Sequence, residues 1–159
     1  MSRDIVRLLV ATQPKLVLDK HVPYVPPSLN RAYQIVRIGS RHTLSKTKAL
    51  KEFVSSADKV ACDWSNVEDN PTDAYLLRID FTFKALTCKG WPKKAKSFWR
   101  RIDTSNRIKH AEDLVSKHVG VDDSKNVMLF ITKSVGEEGM RVRLYKVTDY
   151  EGFIDGNIE

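Results

Sequence analysis

The chain has 159 residues, 42% hydrophobic and 30% charged, with 27 Lys and Arg against 20 Asp and Glu and a net charge of +7. That length suits one domain with a real core, and no apolar run approaches the roughly 18–20 residues that would make it a membrane-spanning chain. Two cysteines and four scattered histidines exclude a disulfide framework and a zinc-spacing motif.

Residues 1–13 read either as a short helix or as an added strand around Ile5, Leu8 and Leu9. Arg7 interrupts that stretch, which lacks the layout of a signal peptide, so the expected location is cytoplasmic. Leu16, Val17, Leu18 and Val22 predict a first strand. Val25-Pro26-Pro27 stops it, because two prolines impose an extended exit and forbid a helix there. Ser28-Leu29-Asn30-Arg31-Ala32-Tyr33 and then Gly39-Ser40-Arg41-His42 read as a polar loop with a basic flavour.

Ser45 reads as an N-cap. Ala49, Leu50, Phe53, Val54, Ala57, Val60 and Ala61 then recur at three and four, predicting a helix to about Cys62. Asp63 to Asp73 is a polar connection. In Ala74 to Leu86, Leu77, Ile79, Phe81 and Phe83 alternate with Arg78, Asp80, Thr82 and Lys84. This predicts a strand with one face on helices and the other polar.

Nine basic residues follow between Lys84 and Lys109, among them Lys93, Lys94, Lys96, Arg100, Arg101 and Arg107, with Asp103 the one acid. Trp91, Phe98 and Trp99 interrupt the run. Bases interleaved with aromatics suit phosphate contacts and stacking at nucleic-acid bases; the aromatics serve equally well as core or dimer contacts.

A second helix is expected to about His118, with Gly120 as its stop. Ile108, Ala111, Val115 and Val119 form its core stripe, while Asn106, Lys109 and Asp113 share the other side. His110 and His118 read as surface residues, and Cys62 and Cys88 as packing. Asp122-Asp123 lies in the turn before a strand at Val127–Ile131. Gly136 to Gly139 is a hairpin turn, and Val142, Leu144, Tyr145 and Val147 form the last strand. The expected fold is therefore α/β (α+β): a single domain with a β-α-β-α-β-β mixed sheet and its helices packed on one face. An N-terminal extension (1–13) and an acidic tail (149–159) flank a domain at 14–148.

Singly, Asp103 reads as a helix cap, Asp122-Asp123 as a turn and Lys109–Asp113 as an i,i+4 ion pair. Together, beside a basic aromatic loop, they point to a metal-dependent nuclease centre. In this the chain resembles the RusA-type Holliday junction resolvases, homodimeric endonucleases of phages and prophages that cut four-way DNA junctions. The resemblance covers about residues 14–148. It is carried by Pro26-Pro27-Ser28-Leu29-Asn30-Arg31-Ala32-Tyr33, by the basic loop and Ser45 opening the first helix, and by Asp103-x-x-Asn106-x-x-Lys109-x-x-x-Asp113 with Asp122-Asp123 beyond it.

The resemblance implies that Asp103 and Asp123 bind Mg2+ (or Mn2+), with Asp113 or Asp122 supplying further charge, and that Lys109 assists catalysis. It departs at Ser105, where that family usually has a second metal-binding Asp. Hydrolysis of a phosphodiester needs an activated water and neutralised charge, which such an ion supplies. Asn30, Tyr33, Arg41, Lys93, Lys94, Lys96, Arg100, Arg101, Asn106 and Arg107 are the expected DNA-binding residues. The alternative is a catalytically weak or inactive DNA-junction or RNA-binding protein on the same scaffold.

Overall fold

Strand alternation in the middle of the chain sets the architecture. In the computed structural model, which describes residues 14–147, Tyr75, Leu77, Ile79 and Phe81 are fully buried and Phe83 nearly so. They belong to β4 (Ala74–Phe83), whose other face carries the half-buried Arg78, Asp80 and Thr82. The readings made for residues 1–13 and for the acidic tail lie outside the described residues.

The described elements run β1 (Lys15–Val22), α1 (Leu29–Ala32), β2 (Tyr33–Ile38), β3 (Arg41–Lys46), α2 (Lys48–Ala61), β4, α3 (Ser105–Val119), a 3-10 turn (Asp123–Lys125), β5 (Asn126–Val135) and β6 (Gly139–Val147). Four strands form one mixed sheet in the order β1-β6-β4-β5, and β2 pairs with β3 in a separate two-stranded sheet. β4 is antiparallel to β6 and parallel to β5, so α3 is the crossover of a β-α-β unit. The fold is mixed α+β, as the alternation of elements predicts.

α2 and α3 bury their apolar stripes in the same core cluster as the odd-numbered residues of β4. From α3 come Ala111, Leu114, Val115 and Val119, with Ile108 at the margin. The opposite face of the sheet is held by charge. Asp80 accepts from Arg78 (3.0 Å) and Thr132 (2.5 Å), and Asp19 pairs with Arg141 (2.7 Å). Leu77 lies between Leu129 of β5 and Leu144 of β6 with no exposed area. Leu77→Ala should cost about 3 kcal/mol, because the sheet cannot collapse around the void. Urea unfolding followed by circular dichroism measures it.

Several local expectations are corrected. Residues 33–46 form a hairpin, with Ile38 opposite Arg41 across Gly39-Ser40. Gly39 takes φ +62°, a conformation glycine adopts without strain. Ser45 is therefore a strand residue, paired with Gln34. The cap of α2 is Thr47, whose Oγ1 accepts from the Leu50 amide and donates to Arg31 O at 2.7 Å, tying α2 to α1. α1 begins two residues after Pro27, because proline restricts its own φ and the residue before it but not the residues that follow.

Gly120 ends α3 in the left-handed conformation (φ +78°), its N–H bonded to Ser116 O, as expected. Cys62 is exposed at the end of α2 rather than packed. His118 is half-buried, bonded to Asp58 at 2.8 Å with its ring edge-on to Trp64.

Candidate active site

Asp103 sits just ahead of α3. Its Oδ1 accepts from the Ser105 amide (3.1 Å), the Ser105 hydroxyl (2.5 Å) and the Asn106 amide (3.4 Å), and its Oδ2 accepts from Asn106 Nδ2 at 2.5 Å. Thr104, at the formal cap position, makes no such bond, so Asp103 satisfies the first free amides of the helix. The Ser105 hydroxyl, and after it the two amides, hold its carboxyl below the usual carboxylate range. Ser105 thus uses its hydroxyl to fix the neighbouring carboxylate.

Lys109, one and a half turns further on, donates to Asp123 Oδ2 at 2.5 Å and pairs with Asp113 Oδ1 at 3.0 Å. Hydrogen bonds to Asp123 and Asp113 push its pKa up, so the ammonium stays charged throughout the working pH range. Glu112 adjoins this group. Burial raises its carboxyl, and the Asn126 amide lies beside it. Sequence reading missed Glu112, although its place three residues after Lys109 is the readable signal. Asp122 has a different partner: its Oδ1 accepts from the Ser124 amide at 2.8 Å and caps the 3-10 turn.

The structure therefore brings Lys109, Asp113 and Asp123 together, and sets Asp103 with Ser105 and Asn106 at the start of the same helix. Asp113 and Asp123 meet at one ammonium, whereas the bonds of Asp103 run to Ser105 and Asn106. The donor chemistry fits a hard divalent cation: all are carboxylate oxygens open to solvent, and a cation, the Lys109 ammonium, already lies between two of them. Among the described residues, no three His, Cys, Asp or Glu side chains stand grouped to hold a metal ion as they are.

The basic loop closes on itself beside this helix. Cys88 N donates to Phe98 O, Arg100 N donates to Leu86 O, and Thr87 bridges to Trp99. Lys93, Lys94, Lys96, Arg100 and Arg101 are all exposed. So are Trp91, Phe98 and Trp99, which removes the core alternative for these aromatics.

Arg107 differs from the other bases. It is half-buried over the Phe83 ring, 5.7 Å from its centroid, and donates to the Pro26 carbonyl. Its partner is internal, and it joins the Pro-Pro segment to the first turn of α3. Asn30 is exposed on α1, and Arg41 is exposed at the start of β3.

Tyr33 is half-buried, its ring 6.1 Å from that of His110. Both line a cavity of about 190 Å3 together with Lys46, Asp58, Asp113 and Lys117. His110 is not a surface residue as expected: it is only 5% exposed, because it falls on the same side of α3 as Ala111 and Leu114.

Burial lowers the His110 pKa. A histidine kept neutral by the fold contributes stability above its unfolded value of about 6.5. That contribution is lost as pH falls below this value toward the folded one, since the unfolded chain then binds more protons. The urea midpoint should therefore fall between about pH 7 and pH 5, and His110→Gln should flatten that slope.

A family model described as endodeoxyribonuclease RusA matches residues 23–145. The chain belongs to the RusA endodeoxyribonuclease family. The match runs from the segment before Pro26-Pro27 to the last strand, so it spans Asp103, Lys109, Asp113 and the Asp122-Asp123 turn. RusA nucleases act on Holliday junction DNA and are generally divalent-metal dependent. No curated protein matches the chain. No helix among the described residues is long and apolar enough to cross a membrane.

Proposed function

We propose that the protein is a Mg2+-dependent structure-specific endonuclease that resolves four-way or branched DNA in recombination and repair, acting in the cytoplasm as a homodimer. Two-fold symmetry would present one site to each of the two strands to be cut. The observation that carries the reading is the Lys109 ammonium shared by Asp113 and Asp123 on the flank of α3, one and a half turns beyond Asp103 and next to an exposed basic loop.

Asp103 and Asp123 are the assigned metal ligands, and Asp113 balances the charge of Lys109. A divalent cation, when bound, would polarise the scissile phosphate and make a water more acidic. The chain's own groups do the rest. Lys109, released from one carboxylate, donates to a non-bridging phosphate oxygen where charge develops. Asn106 keeps Asp103 oriented through its amide. Lys93, Lys94, Lys96, Arg100 and Arg101 grip flanking phosphates without reading sequence.

Ser105, standing where the family usually has Asp, favours a second reading: a junction-binding protein with a weak or dead centre. An end-labelled synthetic four-way junction decides between them. Nicked product with Mg2+ or Mn2+, and none in EDTA, is the expected result. A shifted complex with no product under either condition would overturn the nuclease and leave the binder.

A further inference from the structure

The β2–β3 ribbon is the largest feature that the site does not absorb. From Lys20 to Lys51 the chain carries seven Lys and Arg and no Asp or Glu. Among the described residues, Arg31, Arg37, Arg41 and Lys46 have no carboxylate partner. Pairing in the ribbon sets Tyr33 opposite Lys46, Ile35 opposite Leu44 and Arg37 opposite His42. These pairs share one face. Ile35 is 73% exposed and Leu44 65%, so this apolar pair contributes nothing to the core. Arg37 bonds its Nε to Gly39 O at 3.0 Å, which leaves its terminal NH2 groups free of protein partners among the described residues.

The same face leads to the candidate active site. At its base, Tyr33 and Lys46 line the cavity whose wall includes Asp113, the carboxylate paired with Lys109. A phosphodiester held at Lys109 would continue past Lys46 onto the ribbon. A two-stranded ribbon also has the dimensions to lie in a major groove. The absence of carboxylates argues for a polyanion as occupant, and the Ile35–Leu44 pair offers an apolar surface for unstacked bases at a branch.

We infer that this ribbon face is a second DNA-contacting element, in which Arg37, His42 and Lys46 take backbone phosphates of one substrate arm and Ile35 and Leu44 pack against its exposed bases. The inference rests on the nuclease reading for its substrate, and its test is separable from that reading. Fluorescence anisotropy of the full chain, in EDTA, compares a four-way junction with a linear duplex of equal length.

Arg37→Ala should weaken junction binding about tenfold and lower the salt slope by about one, the signature of one lost phosphate contact. Ile35→Ser with Leu44→Ser should reduce the preference for junction over duplex while leaving the salt slope unchanged. Wild-type affinity and slope in both variants would overturn the ribbon assignment and leave the nuclease standing. A wild-type chain that binds no DNA at all would remove both. A double variant that sediments as a monomer where the wild type is a dimer would give this face to a second copy of the chain and overturn the proposal.

Discussion

Asp123→Asn should leave the protein folded and bound to a four-way junction, yet reduce cutting on the order of 10³-fold or more. Among the described residues its side chain caps nothing, and its hydrogen bond comes from Lys109. Asparagine keeps the volume and one oxygen but removes the charge that a hard cation requires. The same logic applies to Asp103→Asn, with an added cost at the helix start, because Asp103 satisfies the amides of Ser105 and Asn106. Asp122→Asn is the internal control. An asparagine carbonyl can still accept from the Ser124 amide and cap the 3-10 turn, so cutting should stay near wild type. Single-turnover cleavage in excess protein, with anisotropy measured in parallel, separates chemistry from binding. Equal loss in Asp122→Asn and Asp123→Asn would make the Asp122 carboxylate a ligand as well and overturn its role as a cap alone.

The second large effect falls on Lys109. Lys109→Ala should lower the cleavage rate about 10²- to 10³-fold, the usual loss when one donor to a developing oxyanion is removed. Junction affinity should change far less, since the exposed loop bases supply most of the phosphate contacts. Asp123 and Asp113 hold the Lys109 pKa up in the metal-free protein, and the proposed role is that of a charged donor rather than a base. The rate profile near neutral pH should accordingly show no inflection that disappears in Lys109→Arg. The effect on folding should be small. Lys109 and Asp113 are each more than half exposed, and exposed ion pairs contribute under about 1 kcal/mol. A variant that loses activity by unfolding would show it in the urea midpoint, which is expected to stay put.

The fold was legible where burial repeats at a regular period. β4 alternates so strictly that its core face could be named residue by residue, and Gly120 marks the end of α3 because a left-handed terminus favours glycine. The hairpin at residues 33–46 was not read, although Gly39-Ser40 between Tyr33–Ile38 and Arg41–Lys46 is a two-residue turn signal. Its strands leave Ile35, Ile38 and Leu44 exposed, so the usual inside–outside alternation is missing there.

The site was legible as a set of residue types and not as contacts. Spacing puts Lys109 and Asp113 on one face of α3, but cannot tell that Asp123 bonds Lys109 while Asp122 caps the 3-10 turn. Arg107 carried no sequence mark separating it from the other bases, because its burial depends on Phe83 and Pro26, which are distant in the chain. His110 was misread for a related reason. It sits between Lys109 and Ala111, at the boundary of the polar and apolar faces, and Tyr33 closes over it from another element.

The central claim is that Asp103 and Asp123, from separate parts of the fold, serve one divalent ion beside Lys109. Crystals of the wild-type protein soaked in Mn2+ and measured at the manganese edge test it most directly. The account predicts an anomalous peak in contact with carboxylate oxygens of both residues, with the Lys109 ammonium drawn away from Asp123. A peak that touches neither residue, or no peak while Lys109 keeps its bond to Asp123, would contradict it.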